Sequence, residues 1–258
     1  MNSLSSVLDI FLAIFTIIMP LFGGALTVIM FYYRDVMEKE PIRLVVNIFL
    51  WGLLTGLIII AFTIPMFIVA NRAINLLTED WQIILVMLAI VLVQVVAEEG
   101  LKGLVLWRKC FRIIKEVDGL FDGFFYGAII GTGAGVVDAV AYSILATDWL
   151  SGLEIAIIRT IRIPGTHALF TGILGMYFAW HRYRNKKMYP GMIYAVLLHT
   201  IWNITTYIIS FYLVGIPFYA TNFALLGLYL IIMFILSTSL IKYDRKKIPR
   251  GIEVLQEK

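Results

Sequence analysis

The stretch from Trp81 to Leu106, WQIILVMLAIVLVQVVAEEGLKGLVL, decides the fold class. It is long and apolar enough to be a membrane-spanning helix, for which about 20 predominantly apolar residues suffice. Yet it carries Glu98, Glu99 and Lys102 within five residues. An ionised side chain near the bilayer centre costs from about 3 to more than 10 kcal/mol, so such groups face a protein interior or a water-filled cavity. Two of the three histidines, His167 and His199, also lie in apolar stretches, as does Asp138. The polar groups that lipid tolerates least are of the types that do hydrolytic chemistry.

The rest of the chain repeats the apolar pattern. Hydrophobic residues make up 61% and charged residues 15% of the sequence, and the mean hydropathy is +0.91. This composition predicts an all-α, polytopic transmembrane helix bundle of about seven spans, near residues 6–32, 44–70, 81–106, 119–146, 156–180, 191–214 and 218–241. Seven spans leave no room for a separate soluble domain, so residues 1–258 read as one transmembrane helical domain with a basic tail over 242–258.

Of the 21 Lys and Arg residues, 17 fall on alternate sides of these spans: three over 34–43, four over 108–115, four over 182–187 and six from Lys242 onward. The opposite side holds only Arg72 in its short loops. The positive-inside rule then places the amino terminus outside and the carboxyl terminus in the cytoplasm of a multi-pass protein of the cell membrane. The net charge of +4 points to anionic lipid headgroups as neighbours, and no basic aromatic groove argues for nucleic acid. The first segment lacks a basic start and a small-residue cleavage site, so it reads as a retained span. A single cysteine, Cys110, excludes an internal disulfide and a thiolate metal cluster.

Helical spacing groups the polar residues. Glu98 and Lys102 stack one turn apart while Glu99 is displaced by about 100°, so Lys102 can neutralise one carboxylate while the other projects toward a different neighbour. Gly127, Gly131 and Gly135 line one side of the fourth span, a small-residue face for close helix approach, with Asp138 near it. His199 and Asn203 share a face beside Trp202. His167 follows Pro164-Gly165, which weakens the helix and frees a carbonyl. At about 1.5 Å per residue, Glu98 and His199 lie roughly 12 Å deep and His167 roughly 20 Å. Asp138 reaches a matching depth only if the fourth span starts at Tyr126, with Asp122 left in the interface.

In this setting AEEGLK resembles the E-E-x-x-K motif of the PrsW-like membrane proteases, relatives of the CAAX-processing and bacteriocin-processing membrane proteases. YYRDVMEKEP, FDGFFYGAIIGTGAG, the stretch from His167 to Gly175 and HTIWN at 199–203 are similar to the same pattern, in the same order. The likeness runs from about Tyr32 to Asn203. It departs where such proteins show Glu-Asn and this chain has Asp138-Ala139. The resemblance implies an intramembrane protease acting on membrane-anchored protein or peptide substrates, with water activated by Glu98 or Glu99. His167 would assist, His199 and Asn203 would hold the oxyanion or the substrate, and Lys102 and Asp138 would support them. A metal version has His167, His199 and Glu99 as ligands, with zinc as the expected ion.

Each feature taken alone also has a structural reading. The Glu-Lys pair can be a neutralised strut, a span histidine an interhelical hydrogen bonder and Asn203 a helix contact, while Arg159 and Arg162 can snorkel or pair with Glu154 or Asp138. No G-x-S-x-G elbow, P-loop, H-E-x-x-H helix or G-x-G-D loop occurs. The alternatives from other classes are a proton-coupled membrane transporter using the same groups as a relay and a non-catalytic membrane scaffold.

Overall fold

A computed structural model describes residues 3–35, 39–114, 117–146, 148–213 and 215–247. The described residues are almost wholly helical and contain no strand: α1 (Ser3–Arg34), α2 (Ile42–Ile74), α3 (Asp80–Leu106), α4 (Leu120–Ile144), α5 (Trp149–Arg162), α6 (Leu169–Arg184), α7 (Tyr189–Tyr212) and α8 (Ile216–Lys247). Helices are what lipid demands, because each backbone polar group must find its partner within its own segment. A π-helical stretch at Trp107–Ile114 extends α3, and a second at Pro164–Ala168 joins α5 to α6 as one rod.

Six of these rods contain stretches long and apolar enough to cross a membrane. The expected span over 156–180 lands on the remaining rod, whose two α-helical parts have only 14 and 16 residues. The start of the expected basic tail is still helix, since α8 continues through Lys247, and residues 248–258 lie outside the described residues.

Helix α4 is the axis of the bundle. Over its most apolar stretch α4 is 78% buried, against 17% for α3 and 24% for α2, so α4 packs on protein all round while its neighbours turn Phe11, Phe62, Val93 and Phe234 outward. Glycine makes this possible on two sides. A Cβ on Gly52 would come within 2.6 Å of the Ile130 carbonyl, which fixes the α2 contact. On an adjacent face, Cβ atoms on Gly123, Gly127 and Gly131 would meet the carbonyl oxygens of Gly175, Thr171 and His167 at 2.4, 2.3 and 2.1 Å. The two segments thus run antiparallel in a four-residue register, and the glycine face sets His167 against α4.

The start of α4 falls within one residue of the span expected over 119–146. It begins at Leu120, because the Asp122 carboxylate accepts hydrogen bonds from the backbone N–H groups of Asp118 and Gly119 and closes the first turn. Asp244 on α8 accepts from the Phe121 N–H at 2.8 Å. A carboxylate at a helix start is satisfied by the free backbone N–H groups and by the helix dipole. Asp138 nevertheless meets the other polar groups, since the π-helical extension moves the end of α3 to Ile114. From there Glu98 is about 24 Å along the rod, close to the roughly 27 Å from Leu120 to Asp138.

Candidate active site

Three rods supply the centre. On α3, Lys102 Nζ donates to Glu98 Oε1 at 2.6 Å and to Glu99 Oε1 at 2.9 Å, so one ammonium serves both carboxylates. The expected division, with one carboxylate on Lys102 and the other elsewhere, is therefore corrected. The long lysine stem reaches back over a full turn and meets both i−3 and i−4. All three side chains are buried, with Glu99 and Lys102 at 0% exposure. Their mutual pairing is what lets the charges stay away from water.

The 100° offset between the two glutamates acts further out, where each meets its own histidine. Glu98 Oε1 lies 3.2 Å from His167 Nδ1, and Glu99 Oε1 lies 2.9 Å from His199 Nδ1 on α7. Glu99 Oε2 accepts from the Thr171 hydroxyl of α6 at 3.1 Å. His167 sits within the π-helical turn, where Pro164 offers no N–H and the Ala168 N–H reaches back five residues to the Ile163 carbonyl at 3.2 Å. The widened turn presents the imidazole between α3 and α4, with Nδ1 also 3.2 Å from Lys102 Nζ and Nε2 3.6 Å from Asp138 Oδ2. Asp138 Oδ2 in turn accepts from Arg159 at 2.5 Å. The two imidazole rings stand 5.4 Å apart, nearly perpendicular, and Phe170 packs against His199.

A cavity of about 410 Å³ opens beside this cluster. Glu98, His167, His199, Asn203 and Asp138 line it, whereas Glu99 and Lys102 lie behind its wall. From Glu98 it runs past Gln94 and Met87 on α3, Tyr142 on α4 and Tyr207 on α7, toward the end of the bundle away from Arg108, Arg182 and Arg184.

Glu98, His167 and His199 each offer a ligand atom within 4.8 Å of one another. Glu99, expected as the third ligand, stands outside this group with both oxygens already engaged, and Glu98 is the carboxylate grouped with the two histidines. Sequence reasoning passed over Thr171, Gln94 and Tyr142. Each is one turn from a residue it had singled out, His167, Glu98 and Asp138 respectively, so the signal was the same i, i+4 spacing.

The profile of the PrsW family intramembrane metalloproteases matches residues 40–238. The chain belongs to the PrsW family. It is 26% identical over 177 residues to Protease PrsW of Geobacillus kaustophilus, covering 67% of this chain and 71% of that one. Protease PrsW of Shouchella clausii is 28% identical over 172 residues, covering 65% and 72%, and that of Oceanobacillus iheyensis is 26% identical over 199 residues, covering 75% and 85%. No solved structure matches the chain.

As a PrsW family member, the chain is a multi-pass membrane peptidase that carries out intramembrane proteolysis, and the family is described as one of metalloproteases. The donor set fits a metal. Two imidazoles and a carboxylate are the three-ligand combination of catalytic zinc sites, whose ligands stand about 3.4 Å apart when bonds are near 2.1 Å, so binding would draw the groups inward. Each imidazole also has a carboxylate near its other side, Glu99 for His199 and Asp138 for His167, as metal-bound histidines do.

Proposed function

We propose that Glu98, His167 and His199 are the catalytic centre for peptide hydrolysis in membrane-anchored protein substrates of the cell membrane, and that zinc is the metal they hold. When bound, the metal would supply an acidified water and polarise the scissile carbonyl. Glu98 takes the proton of the attacking water at the carboxylate oxygen not bonded to Lys102 and passes it to the leaving amide nitrogen. Asn203, one turn beyond His199 on the same cavity wall, donates to the carbonyl oxygen as charge develops there. Glu99 holds His199 and Lys102, and Asp138 holds His167; both are positioning residues. A substrate segment enters along the cavity from the end away from the basic connections, because Gln94, Met87, Tyr142 and Tyr207 wall its course.

The observation that carries this reading is the convergence of Glu98, His167 and His199 on one membrane-embedded cavity in a member of a metalloprotease family. Purified protein in lipid vesicles, given a membrane-anchored peptide reporter, should cleave it. Chelation should stop cleavage, and stoichiometric zinc should restore it. An active preparation free of zinc, cobalt and manganese would sink the metal assignment, and a cleaving Glu98→Gln variant would sink the role of Glu98.

A further inference from the structure

The cavity is electrically polarised. At the α3 end, Glu98 and Glu99 share the single ammonium of Lys102. Beyond His167 the balance reverses: Arg159 and Arg162 line the cavity with one carboxylate, Asp138, and Arg159 alone pairs with it, at 2.5 Å. Arg162 instead donates to the neutral amide oxygen of Asn222 at 2.5 Å and lies 5.6 Å from the Trp202 ring centre. Among the described residues, no carboxylate lies within ion-pair distance of Arg162. A guanidinium held in a membrane protein without an anionic partner costs solvation energy, and its remaining N–H donors form a fork matched to a carboxylate.

Arg162 lines the same cavity as Glu98, His167 and His199 and stands five residues before His167. That spacing is about 7.5 Å along the rod, or two to three residues of an extended peptide at about 3.3 Å each. We propose that Arg162 is a specificity-determining residue that binds a carboxylate of the substrate peptide, two or three residues from the scissile bond. The carboxylate is an Asp or Glu side chain or the peptide's own carboxyl terminus. The proposal rests on the catalytic reading of Glu98, His167 and His199, and it adds a substrate preference. Desolvated guanidinium–carboxylate pairs are strong and bidentate, so the subsite selects for acidity where the rest of the cavity selects for an apolar segment.

The test uses the full chain in neutral phosphatidylcholine vesicles and a set of membrane-anchored peptides. They carry Asp, Asn or Lys at each of three positions on either side of the scissile bond, with a free or amidated carboxyl terminus. One placement of the carboxylate should raise kcat/KM by about tenfold over its neutral counterpart, with Lys slower still. A side-chain source follows the Asp position, and a terminal source follows the free acid. Arg162→Gln should bring the ratio to about one, Arg162→Lys should keep part of it and Arg162→Glu should favour the Lys peptide. Equal cleavage of all peptides by the wild type overturns the subsite and leaves the catalytic reading standing. Wild type that cleaves none of them removes that reading and the subsite with it. An unchanged preference in Arg162→Gln overturns the assignment to Arg162, and a preference abolished by phosphatidylglycerol shows a lipid phosphate in the subsite and overturns the peptide assignment.

Discussion

Glu99 and His199 are joined across the α3–α7 interface by 2.9 Å between Oε1 and Nδ1, with Glu99 wholly buried. An Nδ1–H donated to that carboxylate leaves the lone pair of His199 on Nε2, the atom free to take a ligand. The second glutamate of the AEEGLK motif therefore acts on the chemistry through His199, whereas the first borders the cavity directly.

This difference separates the two glutamate variants. Glu98→Gln should abolish cleavage and weaken metal affinity, because it removes the base and one of the three donors, while Lys102 keeps its pair with Glu99. Glu99→Gln should weaken metal affinity by about 10- to 100-fold and lower stability more than Glu98→Gln does, since besides the ion pair with Lys102 it loosens the contacts to His199 and Thr171. Cleavage assays with excess zinc, metal titration and thermal unfolding in detergent measure the three effects. Equal loss of stability in both variants would contradict the division of roles.

Thr171 should behave as a milder version of Glu99. Replacing it with Val removes the hydroxyl that donates to Glu99 Oε2 and leaves a buried carboxylate oxygen short of a partner, at a cost of about 1–3 kcal/mol. The shape is nearly kept, so Thr171→Ser should restore most of the lost activity. Both variants can be compared by kcat at saturating substrate and zinc.

The glycine face predicts sensitivity without chemistry. Gly131→Leu would place a Cβ 2.1 Å from the His167 carbonyl oxygen, so the π-helical turn that carries His167 must move away, and a shift of about 1 Å in a catalytic constellation can cost on the order of a hundredfold in rate. Gly100→Ala is the matched control inside the motif itself. Its Cβ would find its nearest neighbour, a Met192 methyl, at 4.0 Å, and a helical Gly-to-Ala exchange favours folding by up to about 1 kcal/mol. Gly100→Ala should retain activity and unfold at a slightly higher temperature. Full activity in Gly131→Leu would refute the packing argument.

Asp138→Asn should have a smaller effect on metal affinity than Glu99→Gln. Asp138 stands 3.6 Å from His167 Nε2, beyond a good hydrogen bond, and it divides its oxygen with Arg159. Metal titration of the two variants side by side gives the ranking, and a larger loss in Asp138→Asn would reverse the assigned positioning roles.

Much of this was legible in one dimension. Block length and hydropathy determined an all-helical membrane bundle, because backbone in lipid has few other ways to satisfy its hydrogen bonds. Charges too costly for lipid marked Glu98, Glu99, Lys102 and the histidines, and four-residue glycine spacing marked the face that brings α4 against His167. Only the tertiary structure decided that Lys102 serves both glutamates, that Glu98 lines the cavity with both histidines while Glu99 lies behind its wall on His199, and that Asp138 reaches them from a helix starting at Leu120. Those outcomes depend on side-chain reach, on π-helical turns at Trp107–Ile114 and Pro164–Ala168, and on how far each rod slides along its neighbour. Helical periodicity gives the direction of a side chain around its own axis and says nothing of the relative heights of two axes, which are set by packing between residues distant in sequence.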